Sequence, residues 1–229
     1  MIQKIKTEDG SPARRNINTV QKAAYELFQQ ALLKGHLRAG QVVSQRDLID
    51  LLGLSISALR ELLPRLQAEG LLTVMPQRGI QITAIDLPMI RDAFQMRLCL
   101  EREAVIVAVN SLSDQAIQQQ KDYHLDILSR LSEKSSSELL DEGQVIDSNF
   151  HELLINNTKN ELIIQAYNVN SIRIKLIKME KIRLSESVLP AAFADHLAII
   201  DALALRDQAG AVSAMQAHIQ NARNRAIEF

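Results

Sequence analysis

Residues 43–79, VSQRDLIDLLGLSISALRELLPRLQAEGLLTVMPQRG, constrain the fold of this chain more than any other stretch. Leu48, Leu51 and Leu52 mark the apolar side of a short helix, and Gly53 breaks it where the chain must reverse. Ser55 or Ser57 can cap a second helix, in which Leu59, Leu62, Leu63 and Leu66 recur at helical spacing. Gly70 ends that helix. The apolar Leu71, Leu72 and Val74 then enter the turn Pro76-Gln77-Arg78-Gly79 and leave through Ile80 and Ile82. A helix-turn-helix followed at once by two strands around a basic glycine turn makes a winged module. Such modules lay their second helix in the major groove of DNA.

The remaining composition bounds the partner domain. The chain has 229 residues, 47% of them hydrophobic, with no Trp, five Pro and eight Gly. That balance favours long helices packed on Leu, Ile and Ala, and the length allows two ordinary domains. No apolar run reaches the roughly 18 residues a membrane helix needs, and the polar start MIQKIKTEDG is not a signal peptide. The single cysteine, Cys99, cannot form an internal disulfide, so a cytoplasmic protein is expected. The formal charge is −1, but its distribution is uneven. Residues 11–84 hold nine basic and five acidic side chains, whereas residues 85–229 hold 15 and 20. A basic first third is the electrostatic footprint of a polyanion partner.

The winged segment, with the amphipathic stretch Val20–Gly40 before it, resembles the GntR family of bacterial transcription regulators. The resemblance rests on an ordered series: helix, glycine turn, LxxLLG, S-x-S-x-x-R-E, AEGL and QRG, running without gaps to about Ala84. Arg60, early in the second helix, can meet a phosphate or the O6/N7 edge of guanine. Arg46 and Arg78 are placed to clamp phosphates, with Gln77 beside them on the wing. Gly79 permits close backbone approach, and Ser55 and Ser57 can cap the helix or touch a phosphate. The resemblance implies that these positions contact a palindromic operator as parts of a homodimer. Two departures stand out. Ile56 occupies a place where the family usually has Arg, which favours an apolar contact such as a thymine methyl. The usual Pro two residues on is Ala58, while Pro64 sits mid-helix and is expected to kink it.

Beyond a boundary near 84–88, with Asp86 as a helix N-cap, six helices are expected: Leu87–Asn110, Ser113–Leu131, Ser136–Asn156, Glu161–Arg183, Pro190–Leu205 and Ala209–Ile227. The fold class is therefore mainly α: an N-terminal arm (1–15), a winged helix-turn-helix (16–84), and an antiparallel all-α bundle (85–229). In the bundle, Asp147 and His151 lie one turn apart on one helix, with His196 and His218 on the last two. Imidazoles with a carboxylate suit Zn²⁺, Ni²⁺, Mn²⁺ or Fe²⁺. A satisfied core histidine is the alternative reading at each position, and spacing alone does not decide between them.

D-x-x-x-H followed by two further histidines about 22 residues apart resembles the FCD domain, the ligand-binding half of the FadR-type branch, with six helices closest to the VanR-like subgroup. The resemblance implies that Asp147, His151, His196 and His218 ligate a divalent ion that helps hold a small carboxylate or sugar acid. An acyl-CoA effector is not expected, because the members binding it lack these histidines. Arg97 matches an arginine near the family's pocket, although an intrahelical pair with Glu101 is equally open. Arg173, Asn221 and Arg223 are weaker effector candidates, and His36 and His124 are read as surface residues. Two alternatives remain at this point: a metal-dependent enzyme acting on a small carboxylate, and a regulator whose metal is purely structural.

Overall fold

The computed structural model describes residues 12–181 and 187–227, with the backbone alone for 12–20. The chain divides into two compact units, residues 1–84 and 85–229. The first contains α1 (Pro12–Leu33), β1 (Val42–Val43), α2 (Gln45–Leu52), α3 (Ile56–Ala68), β2 (Leu72–Met75) and β3 (Gly79–Ile82). Because α1 starts at Pro12, positions 12–15 are helical rather than part of an arm. The arm expected at 1–11 lies outside the described residues.

Local chemistry sets these boundaries. Ser44 and Asp47 form a reciprocal capping box at the start of α2, and Gly53 closes it at φ 63°. Leu48 and Leu52, one turn apart, are buried, whereas Leu51 is 43% exposed. In a two-turn helix the i, i+4 pair defines the inward stripe, and Leu51 falls outside it. Ser55 caps α3 by accepting from the Ala58 amide at 3.2 Å. Leu59, Leu62, Leu63 and Leu66 bury its inner face. α3 runs without interruption through Pro64, where a kink was expected. Pro64 lies on the exposed face, so water can satisfy the Arg60 carbonyl that proline leaves without an amide, and four buried leucines hold the other side.

The wing contains a third strand that the sequence did not announce. The sheet order is β1-β3-β2, all antiparallel, with Val43 opposite Ile80 and Val74 also opposite Ile80. Pro76 fixes φ before Gln77 at φ 60°, and Arg78 N donates to Met75 O at 3.0 Å, a type II pattern. Gly79 has φ 107°, and a Cβ there would sit 2.7 Å from the Val43 carbonyl oxygen. Glycine is therefore required by the β1 crossing. α1 seats α3: the Arg65 guanidinium lies 3.8 Å over the Tyr25 ring, and the Tyr25 hydroxyl donates to Glu69.

The second unit contains α4 (Leu87–Ser111), α5 (Asp114–Glu133), α6 (Ser137–Asn157), α7 (Glu161–Lys181), α8 (Val188–Ala204) and α9 (Gln208–Ile227). Arg183, the end expected for α7, lies outside the described residues. Asp86, Ser113 and Ser136 cap α4, α5 and α6 through their side chains. α4 is central and packs on α9, α7 and α6, while α8 packs on α9 and α5. The core between them is aliphatic, with Phe94, Phe150, Leu154, Ile177, Ile200 and Met215 among its buried members. Among the described residues, nine buried polar or charged side chains also enter this apolar interior, including Arg97, Glu101, His124, Asp147, His151, His196 and His218. Such burial is costly unless the groups answer one another.

Candidate DNA-reading face and metal centre

On the winged unit, Ser55, Ile56, Ser57 and Arg60 are all exposed along the N-terminal half of α3. Ile56 is 58% exposed, an apolar side chain offered to solvent at the first helical position. Ser57 Oγ lies 3.4 Å from Ser55 Oγ, so one hydroxyl caps the helix and the other remains available. Arg46 is nearly free in water, with only a loose 3.8 Å approach to Asp50. Gln77 and Arg78 form the exposed wing tip. Gly79 is held by the packing of β1 and β3, which explains it without any contact to a ligand.

In the bundle, His151 on α6, His196 on α8 and His218 on α9 offer ring nitrogens that all lie within 4.8 Å of one another. The Nε2 atoms of His196 and His218 are 3.3 Å apart. Two imidazoles bound at about 2.0–2.1 Å to one ion at a near-tetrahedral angle would place their nitrogens roughly 3.3 Å apart. Asp147 Oδ1 is 3.8 Å from His196 Nε2. The opposite ring nitrogens each have an acceptor atom nearby, but only that of His196 is hydrogen-bonded. His151 Nδ1 lies 2.7 Å from Glu101 Oε2, His196 Nδ1 lies 2.9 Å from His124 Nε2, and His218 Nδ1 lies 3.6 Å from Asp195 Oδ2. His124 in turn directs its Nδ1 to the Gln120 carbonyl at 2.7 Å. A carbonyl only accepts, so the proton sits on His124 Nδ1. His124 Nε2 then accepts from His196 Nδ1, and His196 Nε2 carries a lone pair into the centre. Acceptors behind Nδ1 that leave Nε2 basic are the arrangement of a histidine metal site.

Two organic cations lie on this ligand set. Arg97 Nε donates to Glu101 Oε1 at 2.6 Å, and its Nη2 donates to His151 Nε2 at 2.6 Å and lies 3.4 Å from His218 Nε2. Its Nη1 is buried and has no hydrogen-bond partner. Lys178 on α7 donates to Asp147 Oδ2. Burial alone would raise the Asp147 carboxyl, but Lys178, His151 and Arg97 reverse this and hold it well below the usual carboxylate range. Glu101 is likewise held low against burial by Arg97 and His151. Burial drives the imidazoles the other way: His196 is well below its ordinary value, and His218 is pushed down to about 4. The histidines are therefore neutral near pH 7, the form that binds metal.

A small cleft of about 30 Å³ opens beside this centre, lined by Arg97, Asp147, His151, Tyr167, Asn170 and Lys178 among others. Arg97 makes the intrahelical pair with Glu101 and also lines the cleft. Arg173, Asn221 and Arg223 do not line it, and Asn221 is instead exposed and bonded to Asp195. His124 corrects the surface reading: it is fully buried and joined to His196. Its signal was available, because Ile117, Gln120, His124 and Ile127 trace one buried helical stripe. Lys178 was also missed, although Tyr167, Asn170, Ile174 and Lys178 share a face of α7 at steps of three and four. His36 is exposed, as its isolation suggested.

A winged helix-turn-helix and an all-helical bundle with a polar interior together define a class of DNA-binding regulator, and comparison with known proteins places the chain within it. Residues 20–82 match the model of the gntR family of bacterial regulatory proteins, and residues 92–221 match the FCD domain. The chain belongs to the GntR family of bacterial transcription regulators and carries an FCD domain. It is similar to the Nta operon transcriptional regulator of Aminobacter aminovorans, 29% identical over 85% of this chain and 88% of that protein. Its fold is that of a GntR transcriptional regulator from Rhodococcus sp. RHA1, with TM-score 0.71 at 16% identity, covering 92% of this chain and 98% of that one. The FCD domain of TM0439, solved metal-free, matches with TM-score 0.52 at 22% identity over 63% of this chain and 96% of that one. These relatives are regulators, which sets the enzyme alternative aside: the protein is a DNA-binding transcription regulator. Among the described residues no helix is long and apolar enough to cross a membrane.

Proposed function

We propose that this regulator acts in the cytoplasm as a homodimer on a palindromic operator, and that its FCD domain binds a divalent ion with a small organic acid that modulates operator binding. The observation that carries the reading is the convergence of His151, His196 and His218, each with an acceptor behind its Nδ1. Asp147 supplies the fourth donor. An ion bound there acts as a Lewis acid that draws in anionic oxygen ligands. The chain's own part is to keep three imidazoles neutral and oriented, and to offer Arg97 Nη1 as an unspent donor to a carboxylate. Zinc, nickel, manganese and ferrous iron all suit this nitrogen-rich set.

On the winged unit, Arg60 reads a base edge or phosphate from α3, while Arg46, Ser55, Ser57, Gln77 and Arg78 position the duplex. Gly79 shapes the wing for that contact. The acid shifts operator affinity by binding one arrangement of the protein better than another, and the shift equals that differential. The test is elemental analysis of protein purified without chelator, followed by operator binding with and without organic acids. About one divalent ion per chain and acid-dependent release of DNA are expected. Metal-free protein that cannot be reloaded defeats the metal reading. A loaded protein indifferent to every acid leaves the ion purely structural.

A further inference from the structure

The outward side of α3 carries two stripes of different character. Along the one nearer α1, charged side chains are answered within the unit. Glu61 accepts from Gln21 Nε2 at 2.9 Å, and Arg65 pairs with Glu69 at 3.0 Å while covering the Tyr25 ring. Along the adjacent stripe, Ile56, Arg60 and Pro64 follow one another at four-residue steps, and all are exposed. Ser57 is exposed beside them, next to the capping Ser55. Ile56 has no part in seating the helix, which rests on Leu59, Leu62, Leu63 and Leu66.

These side chains are unequal as readers of sequence. A serine hydroxyl both donates and accepts, so Ser57 does not by itself tell one base from another. A guanidinium discriminates, and so does an aliphatic side chain. Every base pair shows hydrogen-bonding atoms in the major groove, but the apolar group there is the thymine C5 methyl. Ile56 stands at the first helical position of α3 and is 58% exposed. That is the end a reading helix turns to the base edges. Covering a methyl with an isoleucine side chain takes apolar surface of both out of water. Four residues of helix rise about 6 Å, against about 3.4 Å per base pair. Ile56 and Arg60 therefore address base pairs no more than about two steps apart.

Resting on α3 as the helix that reads DNA, we propose that Ile56 is a specificity-determining contact whose side chain covers the C5 methyl of a thymine in each operator half-site. That thymine lies within about two base pairs of the one Arg60 meets. Discrimination at this position resides in a single methyl group.

The experiment begins with full-length protein enriching duplexes from a random DNA library, and the enriched duplex is the probe. Each thymine is replaced in turn by deoxyuridine, which lacks only the methyl, and dissociation constants are read by fluorescence anisotropy. Wild type should bind about fourfold more weakly when one particular thymine of a half-site is replaced, the effect of one buried methyl group. Ile56→Ala should bind the thymine and deoxyuridine forms of that position alike. Ile56→Val, which keeps a branched apolar side chain, should retain the preference. Leu27→Ala, which shortens an exposed apolar side chain of α1, should retain it too. Thermal melting establishes that each variant is folded. Unchanged wild-type affinity at every replaced thymine would overturn the inference, as would a folded Ile56→Ala that keeps the whole deoxyuridine effect. Either result leaves α3 as the reading helix, provided Arg60→Ala still loses affinity for the same duplex. If neither Arg60→Ala nor Ile56→Ala changed that affinity, the reading role of α3 would fall, and this inference with it.

Discussion

At the scale of single residues, Arg60 and Ser55 lie at the same end of α3 yet have separable roles. Arg60→Ala removes an exposed guanidinium from α3 and should weaken operator binding about tenfold or more with unchanged melting. An unchanged dissociation constant in a gel-shift titration would contradict its role. Ser55→Ala deletes the acceptor of the Ala58 amide and should cost about 1 kcal/mol of stability in urea unfolding. His124→Phe keeps a buried ring but ends the contact with His196 Nδ1. Metal affinity should fall about 10–100-fold, measured by competition with a chelator. The three histidines that converge stood out as candidates because such residues are rare in an aliphatic bundle, although spacing alone did not separate a ligand from a core histidine. His124 and Lys178 did not stand out, since each lacks a partner in its own stretch of sequence. Their partners, His196 and Asp147, come from other helices.

At the scale of elements, the helices and their caps could be read from the sequence because serine, aspartate and glycine act locally. Ser113, Ser136 and Asp86 each cap by accepting from the amide three residues on. β1 could not be read in that way: it has two residues, and its existence depends on pairing with β3, far along the chain. The same non-local pairing gives Gly79 its reason. Gly79→Ala places a Cβ 2.7 Å from the Val43 carbonyl in a backbone region that side chains avoid. The winged unit should lose roughly 1–3 kcal/mol, read as a lower urea midpoint. Gly143 on α6 offers a parallel case of close packing, since an added Cβ would come within 2.5 Å of buried Leu189 on α8. Wild-type melting of Gly143→Ala would mean that Leu189 can yield, and a clear drop is expected.

At the scale of the whole molecule, the uneven charge and the buried histidines predict opposite responses to solution conditions. Operator affinity should fall steeply with salt, because cationic side chains release counterions from the phosphates. A flat dependence between 50 and 200 mM salt, checked by fluorescence anisotropy, would contradict a basic reading face. Folding stability of the chelator-treated protein should depend on acid. The unfolded chain protonates its histidines near pH 6.5, whereas burial delays protonation of His218 in the fold to about 4. The unfolded state therefore binds more protons below 6.5, and stability is complete above that pH and lost as pH falls toward 4. Melting temperature measured in steps from pH 7.5 to 4.5 should decline through this window.

The chain of contacts from the Gln120 carbonyl through His124 to His196 has one more consequence. Both imidazole N–H protons in it are enclosed in a bundle where His124 and His196 are wholly buried. Protons so shielded exchange slowly with water, and hydrogen-bonded ring N–H groups resonate far downfield. The protein thus carries its own magnetic reporter: a pair of persistent proton lines whose positions register whatever His196 binds on its opposite nitrogen.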